Sequence, residues 1–174
     1  LDIHLANPKV TNGSATTNVP QIKTNSTMDF STTLNMPGDF YEFTVDAVNA
    51  GTIDGMIDVI SSKLNNVEII TLPAYLNYSI TYSDGVPLQK NQELKANSSE
   101  TYKVRIAYKT DIEASELPQT TETLNLNFQI NYVQADDTAI PVGGTPSSFS
   151  TDSWETIVRA VKRGDTSVYI VGST

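Results

Sequence analysis

Between Thr101 and Tyr108 the chain alternates without interruption: Tyr102, Val104, Ile106 and Tyr108 fall on one side, and Thr101, Lys103, Arg105 and Ala107 on the other. A two-residue period is that of a pleated strand buried on one face only. The same rhythm runs from Leu124 through Leu126, Phe128, Ile130 and Tyr132, against an outer face of Asn125, Asn127, Gln129 and Asn131 that is unusually rich in amides. Further strands are predicted over 28–34, 40–49, 53–61 and 76–82. The segment 62–74 stays open, because Val67-Glu68-Ile69-Ile70 suits a strand or a turn of helix. Breakers stand between these runs at Pro37-Gly38-Asp39, Asn49-Ala50-Gly51, Asp84-Gly85, Ala96-Asn97-Ser98-Ser99 and Leu117-Pro118. Short alternating runs punctuated this often predict an all-β fold, an antiparallel β-sandwich of jelly-roll or immunoglobulin-like topology over 1–135.

The pattern changes after Asp136. Residues 136–152 are rich in Asp, Pro, Gly, Ser and Thr with little periodicity and read as a linker. In 153–174, Trp154, Ile157, Val158 and Val161 follow helical spacing, with Asp152 and Glu155 as a capping pair and Gly164 as a stop. Ser167-Val168-Tyr169-Ile170-Val171 then reads as a strand. One helix and one strand cannot enclose a core. The segment therefore either opens a further module or docks onto the sandwich.

A chain of 174 residues is long enough for one domain with a real core plus a fragment. Its lack of cysteine excludes disulfides, thiolate metal sites and cysteine nucleophiles, so packing must supply the stability. The net charge of −9 repels phosphate backbones and argues against nucleic-acid partners and acidic membranes. No apolar run approaches the ~20 residues that span a bilayer. The start at Leu1, without methionine, fits a mature chain whose export signal has been removed.

Candidate chemistry is sparse. The single histidine, His4, lies in Leu1-Asp2-Ile3-His4-Leu5 and is expected to point outward from a strand edge. No His-Glu-x-x-His, Gly-x-Ser-x-Gly or phosphate-cradling loop is present, so no enzyme and no catalytic residue is predicted. Asp39, Glu42, Asp46, Asp54 and Asp58 crowd two predicted strands. If a hairpin brings Asp46 and Asp54 together around Asn49-Ala50-Gly51-Thr52, their oxygens could hold calcium, the one cofactor considered. The alternative is an acidic face that keeps the protein soluble. Lys103 falls on the polar face of its strand, and no lysine is placed for an isopeptide crosslink.

The order of motifs from Leu34 to Asp54, a Pro-Gly-Asp corner, the aromatic pair Phe40-Tyr41, a strand, then Asn49-Ala50-Gly51-Thr52 and Asp54, resembles the opening of the secreted TasA/camelysin family of Gram-positive bacteria. The likeness covers about residues 28–134 and includes Tyr108-Lys109-Thr110-Asp111-Ile112, Leu117-Pro118 and Tyr132-Val133-Gln134. The short tail is similar to the start of a module found in Gram-positive surface proteins. The resemblance implies a secreted, cell-surface or extracellular subunit of a biofilm-matrix fibre that donates its N-terminal strand to a neighbour and so forms a homopolymer. Leu1, Ile3 and Leu5 would fill alternate pockets of the recipient while main-chain bonds supply affinity. Residues 1–20 would then be a strand and a polar tether reaching roughly 66 Å when fully extended. The alternative is that this strand pairs within its own sandwich. A second expectation is a non-catalytic adhesin or binding module that meets other surface proteins. A third is a camelysin-type metalloendopeptidase, for which the sequence offers no zinc ligand set.

Overall fold

The strand Phe40–Asn49 buries every second residue, Tyr41, Phe43, Val45, Ala47 and Asn49, and turns the others toward solvent, so alternation along the chain becomes two-sidedness in space. The computed structural model describes residues 1–14, 19–121 and 123–141. Its strands are β1 (Ile3–Gly13), β2 (Gln21–Ile22), β3 (Thr27–Thr33), β4 (Phe40–Asn49), β5 (Gly55–Leu64), β6 (Val67–Glu68), β7 (Leu76–Tyr82), β8 (Glu93–Leu94), β9 (Ser98–Tyr108) and β10 (Thr123–Gln134). A single 3₁₀ turn, Ala114–Glu116, is the one helical element among the described residues. The expected helix and strand of 153–174 lie outside the described residues.

Two antiparallel sheets face each other. The first has the order β1-β4-β9-β7, and the second β2-β3-β10-β5-β6 with β8 also on β5. Between them Tyr41, Phe43, Val45, Tyr102, Val104 and Ile106 from the first sheet meet Met28, Phe30, Leu126, Phe128 and Ile130 from the second in one apolar cluster. Phe30 and Phe43 meet edge to face at 4.8 Å and 64° across the layers. Enclosing each such side chain contributes about 1.5–3 kcal/mol, so packing between the two layers is a main source of the stability of this all-β sandwich.

Successive long strands change sheets. β1 lies in the first, β3 in the second, β4 in the first and β5 in the second. The alternation is jelly-roll in manner, although β7 and β9 are neighbours in one sheet. The link between β4 and β5 is therefore an arch that crosses layers and not the expected hairpin. Turn residues alone do not distinguish the two. Which sheet receives the next strand depends on where its apolar face finds cover.

Two further expectations are revised. Residues 6–13 are strand and not tether, since β1 runs to Gly13 with Gly13 opposite Tyr41 on β4. Main-chain pairing at an exposed edge needs no apolar side chains, so a polar sequence conceals it. Residues 136–141 of the expected linker are anchored to the sandwich, and the rest of it lies outside the described residues. Asp136 accepts from the Thr138 N–H at 2.8 Å in a local turn, Ile140 is 7% exposed, and its N–H and C=O bond Asn91 and Glu93 at 2.6 and 2.7 Å. In the open segment, Asn65 and Asn66 take φ of 50° and 66° and turn β5 back into β6. That is the left-handed pair of a two-residue hairpin, a conformation asparagine tolerates.

Candidate functional site: the seat of the N-terminal strand

β1 is the edge of the first sheet, and its first residues are gripped from three sides. Ile3, His4, Leu5 and Ala6 pair with Asn49, Val48, Ala47 and Asp46 of β4. The Leu5 N–H donates across the layers to the Asn25 carbonyl at 2.9 Å, and the Asp2 carbonyl accepts from the Ala50 N–H at 2.8 Å. Leu5 is 5% exposed and belongs to the core, whereas Leu1 is 53% exposed.

Ile3 rests on Gly55. A methyl group built there would lie 2.5 Å from Ile3 Cδ1 and 3.5 Å from Leu1 Cδ1, closer in the first case than real carbon contacts allow. The first residue of β5 is thus a socket that the side chain of Ile3 fills. Beside it a cleft of about 240 Å³ opens between Leu1, Ile3 and Leu5 on one side and Asn25, Ser26, Ile130 and Tyr132 on the other. Apolar residues at alternate positions, a notch for one of them and main-chain bonds on both flanks are the parts of a strand-binding groove.

The grip weakens past Leu5. The pairing slips between Ala6 and Lys9 and again between Val10 and Asn12, and Asn7 takes φ of 53°. Irregularities of this kind bend an edge strand away from its neighbour. Beyond them main-chain pairing with β4 continues to Gly13, helped by Val10, which packs against the core, and by exposed bonds such as Thr11 Oγ1 to Glu42 Oε1 at 3.3 Å.

The motif residues build the arch that carries this seat. Asn49, 1% exposed, donates to the carbonyls of Ile53 and Leu94 at 2.9 and 3.2 Å and accepts from the Gly51 N–H at 3.1 Å. Asp39 Oδ2 accepts from the N–H groups of Asn35 and Met36 at 2.8 and 3.1 Å, closing the Pro-Gly-Asp corner around Gly38, whose φ is 93°. Asp54 Oδ1 accepts from the Ala96 N–H at 2.7 Å and Oδ2 from Lys95 Nζ at 3.1 Å. The Ala96 N–H, and after it Lys95, hold the Asp54 carboxyl below the usual carboxylate range.

Asp46 and Asp54, the pair expected to hold calcium across a hairpin, have separate hydrogen-bond partners. Asp46 faces out from the first sheet, where Asn7 and Thr101 donate to its two oxygens at 3.0 and 2.8 Å. The arch sends Asp54 toward the second sheet and gives it different partners. His4 pairs with Val48 on the edge, as its alternation predicts, with Nδ1 3.7 Å from Asp2 Oδ1. Among the described residues no group of three or more His, Asp or Glu side chains could hold a metal ion. None of their helices is long and apolar enough to cross a membrane.

Leu1, Ile3 and Leu5 were legible as an amphipathic strand; Gly55 was not. A glycine at a strand start reads as a turn residue, and only the approach of Ile3 reveals its use. Comparison with protein-family models, curated proteins and solved structures gives no match.

Proposed function

We propose that the protein is a secreted structural subunit of a cell-surface or biofilm-matrix fibre, joined to its neighbours by exchange of β1. The observation that carries this reading is the seat itself. Ile3 fills the socket at Gly55 and Leu5 enters the core, while the rest of the strand lies on an exposed edge.

A strand held in its own sheet occupies the place that a neighbour's strand would take. Exchange conserves every contact of the seat, so the choice between home and neighbour turns on chain entropy and protein concentration and not on new interactions. An emptied seat would expose the edge of β4 and the apolar cleft beside it, both of which favour capture of another strand. The motif order resembling the TasA/camelysin family supports the extracellular setting. The adhesin reading is the runner-up, to be preferred if the protein binds other surface proteins without self-assembly.

The test uses a variant with His4 and Val48, opposite each other on β1 and β4, replaced by cysteine and joined by a short thiol-to-thiol reagent. Wild-type protein at high concentration is expected to form filaments under the electron microscope. The joined monomer should stay single, and the unjoined variant should assemble like wild type. Filaments from the joined form would remove strand exchange as the mechanism.

A further inference from the structure

The amides on the outer face of β10 have no part in strand exchange, and the fold arranges them as the floor of a groove. Asn127 stands opposite Asp29 on β3 and Lys63 on β5, and Asp29 opposite Gln21 on β2, so these four side chains form one row across four strands. The groove holds about 320 Å³, with Gln21 and Lys23 along one wall and Lys63 along the other. Four strands at the usual spacing span roughly 14 Å, the length of a short run of sugar rings.

The row is chemically mixed. Asn127 Nδ2 donates to Asp29 Oδ1 at 2.7 Å, which fixes both groups. Lys23 Nζ donates to Gln21 Oε1 at 3.1 Å. Amide oxygens and a carboxylate accept, while amide N–H groups and the Lys63 ammonium donate, all within one row. Sugar hydroxyls both donate and accept, and adjacent hydroxyls need partners of both kinds side by side.

We infer that this groove binds a neutral, hydroxyl-rich oligosaccharide laid across the strands. Lys23 and Lys63 outnumber Asp29 in the lining, but the overall charge of −9 opposes approach of a polyanion to the molecule. Among the described residues the one aromatic in the lining, Phe30, is a core side chain only 5% exposed, so affinity per subunit is weak, in the range that repetition of sites along a surface would strengthen. The inference concerns the single folded subunit and stands whether or not β1 exchanges.

The test is an NMR titration of the 174-residue chain with a tetramer of β-1,4-linked glucose and, separately, its N-acetylglucosamine counterpart. The expected result is saturable movement of the Asn125 and Asn127 side-chain amide signals with at least one tetramer. Asn127→Ala should weaken binding about tenfold and Lys63→Ala, at an exposed position, severalfold. Each variant's thermal midpoint is measured alongside; if Asn127→Ala unfolds, Lys63→Ala alone decides. No movement up to the solubility limit of both sugars would overturn the inference. So would equal binding by both folded variants, or binding seen only with polygalacturonate and abolished by salt.

Discussion

A missing methyl group at Gly55 decides where Ile3 sits. Gly55→Ala would place a carbon 2.5 Å from Ile3 Cδ1, the far end of a side chain that can swing aside, and is expected to cost about 1 kcal/mol, seen as faster hydrogen exchange along the start of β1 with the rest of the sandwich protected. Ile3→Val removes the crowded carbon, so the pair Gly55→Ala, Ile3→Val should be more stable than the sum of the single changes. Strict additivity would mean that Ile3 does not use the socket. Tyrosines make a second prediction at this scale. Burial raises the phenols of Tyr78, Tyr102 and Tyr132, with Tyr78 hydrogen-bonded to Ser62 at 2.9 Å and Tyr102 to Tyr132 across the layers. The folded state therefore favours the neutral phenol. Its contribution is complete below the ordinary value of 10.0 and is lost as pH rises above it, by about 1.4 kcal/mol per pH unit for each group that stays protonated. Urea midpoints measured from pH 8 to 12 should fall steeply above pH 10, and a flat profile would contradict the burial of these rings.

At the scale of elements, β4 and β7 have the very bounds that alternation predicts, 40–49 and 76–82, because each shows one face to the core over its whole length. β9 begins three residues before the expected Thr101, where Ser98, Ser99 and Glu100 continue the pairing, and β10 extends past both expected ends to Thr123 and Gln134. What the alternation could not supply was partner choice. Asn49-Ala50-Gly51 is equally good chemistry for a hairpin and for an arch, and the buried Asn49 amide, tied to Ile53 and Leu94, holds the arch. Asn49→Ala removes those bonds in a buried place and should cost about 1–3 kcal/mol by chemical denaturation, whereas a change smaller than a few tenths would show that the arch does not depend on them. The polar half of β1 and the anchoring of Ile140 escaped notice for a related reason. Both rest on main-chain bonds, which leave no mark on the order of side chains.

For the whole molecule, the alternation and the spacing of breakers between short strands already pointed to a sandwich, and the two packed sheets are that sandwich. Its surface was less legible. The amide-rich face of β10 stood out in the sequence, but the row from Gln21 to Lys63 exists only because four strands far apart in the chain lie in register. The seat of β1 likewise joins residues from β4, β5, β10 and the loop before β3. Strand exchange between whole molecules is tested most directly by asking which chain's β4 a given β1 touches after assembly. Protein carrying His4→Cys and Val48→Cys is assembled first, then joined by the short thiol-to-thiol reagent and dissolved in denaturant. A ladder of dimers, trimers and longer covalent chains is the predicted result. A single band of internally joined monomer from intact filaments would contradict it.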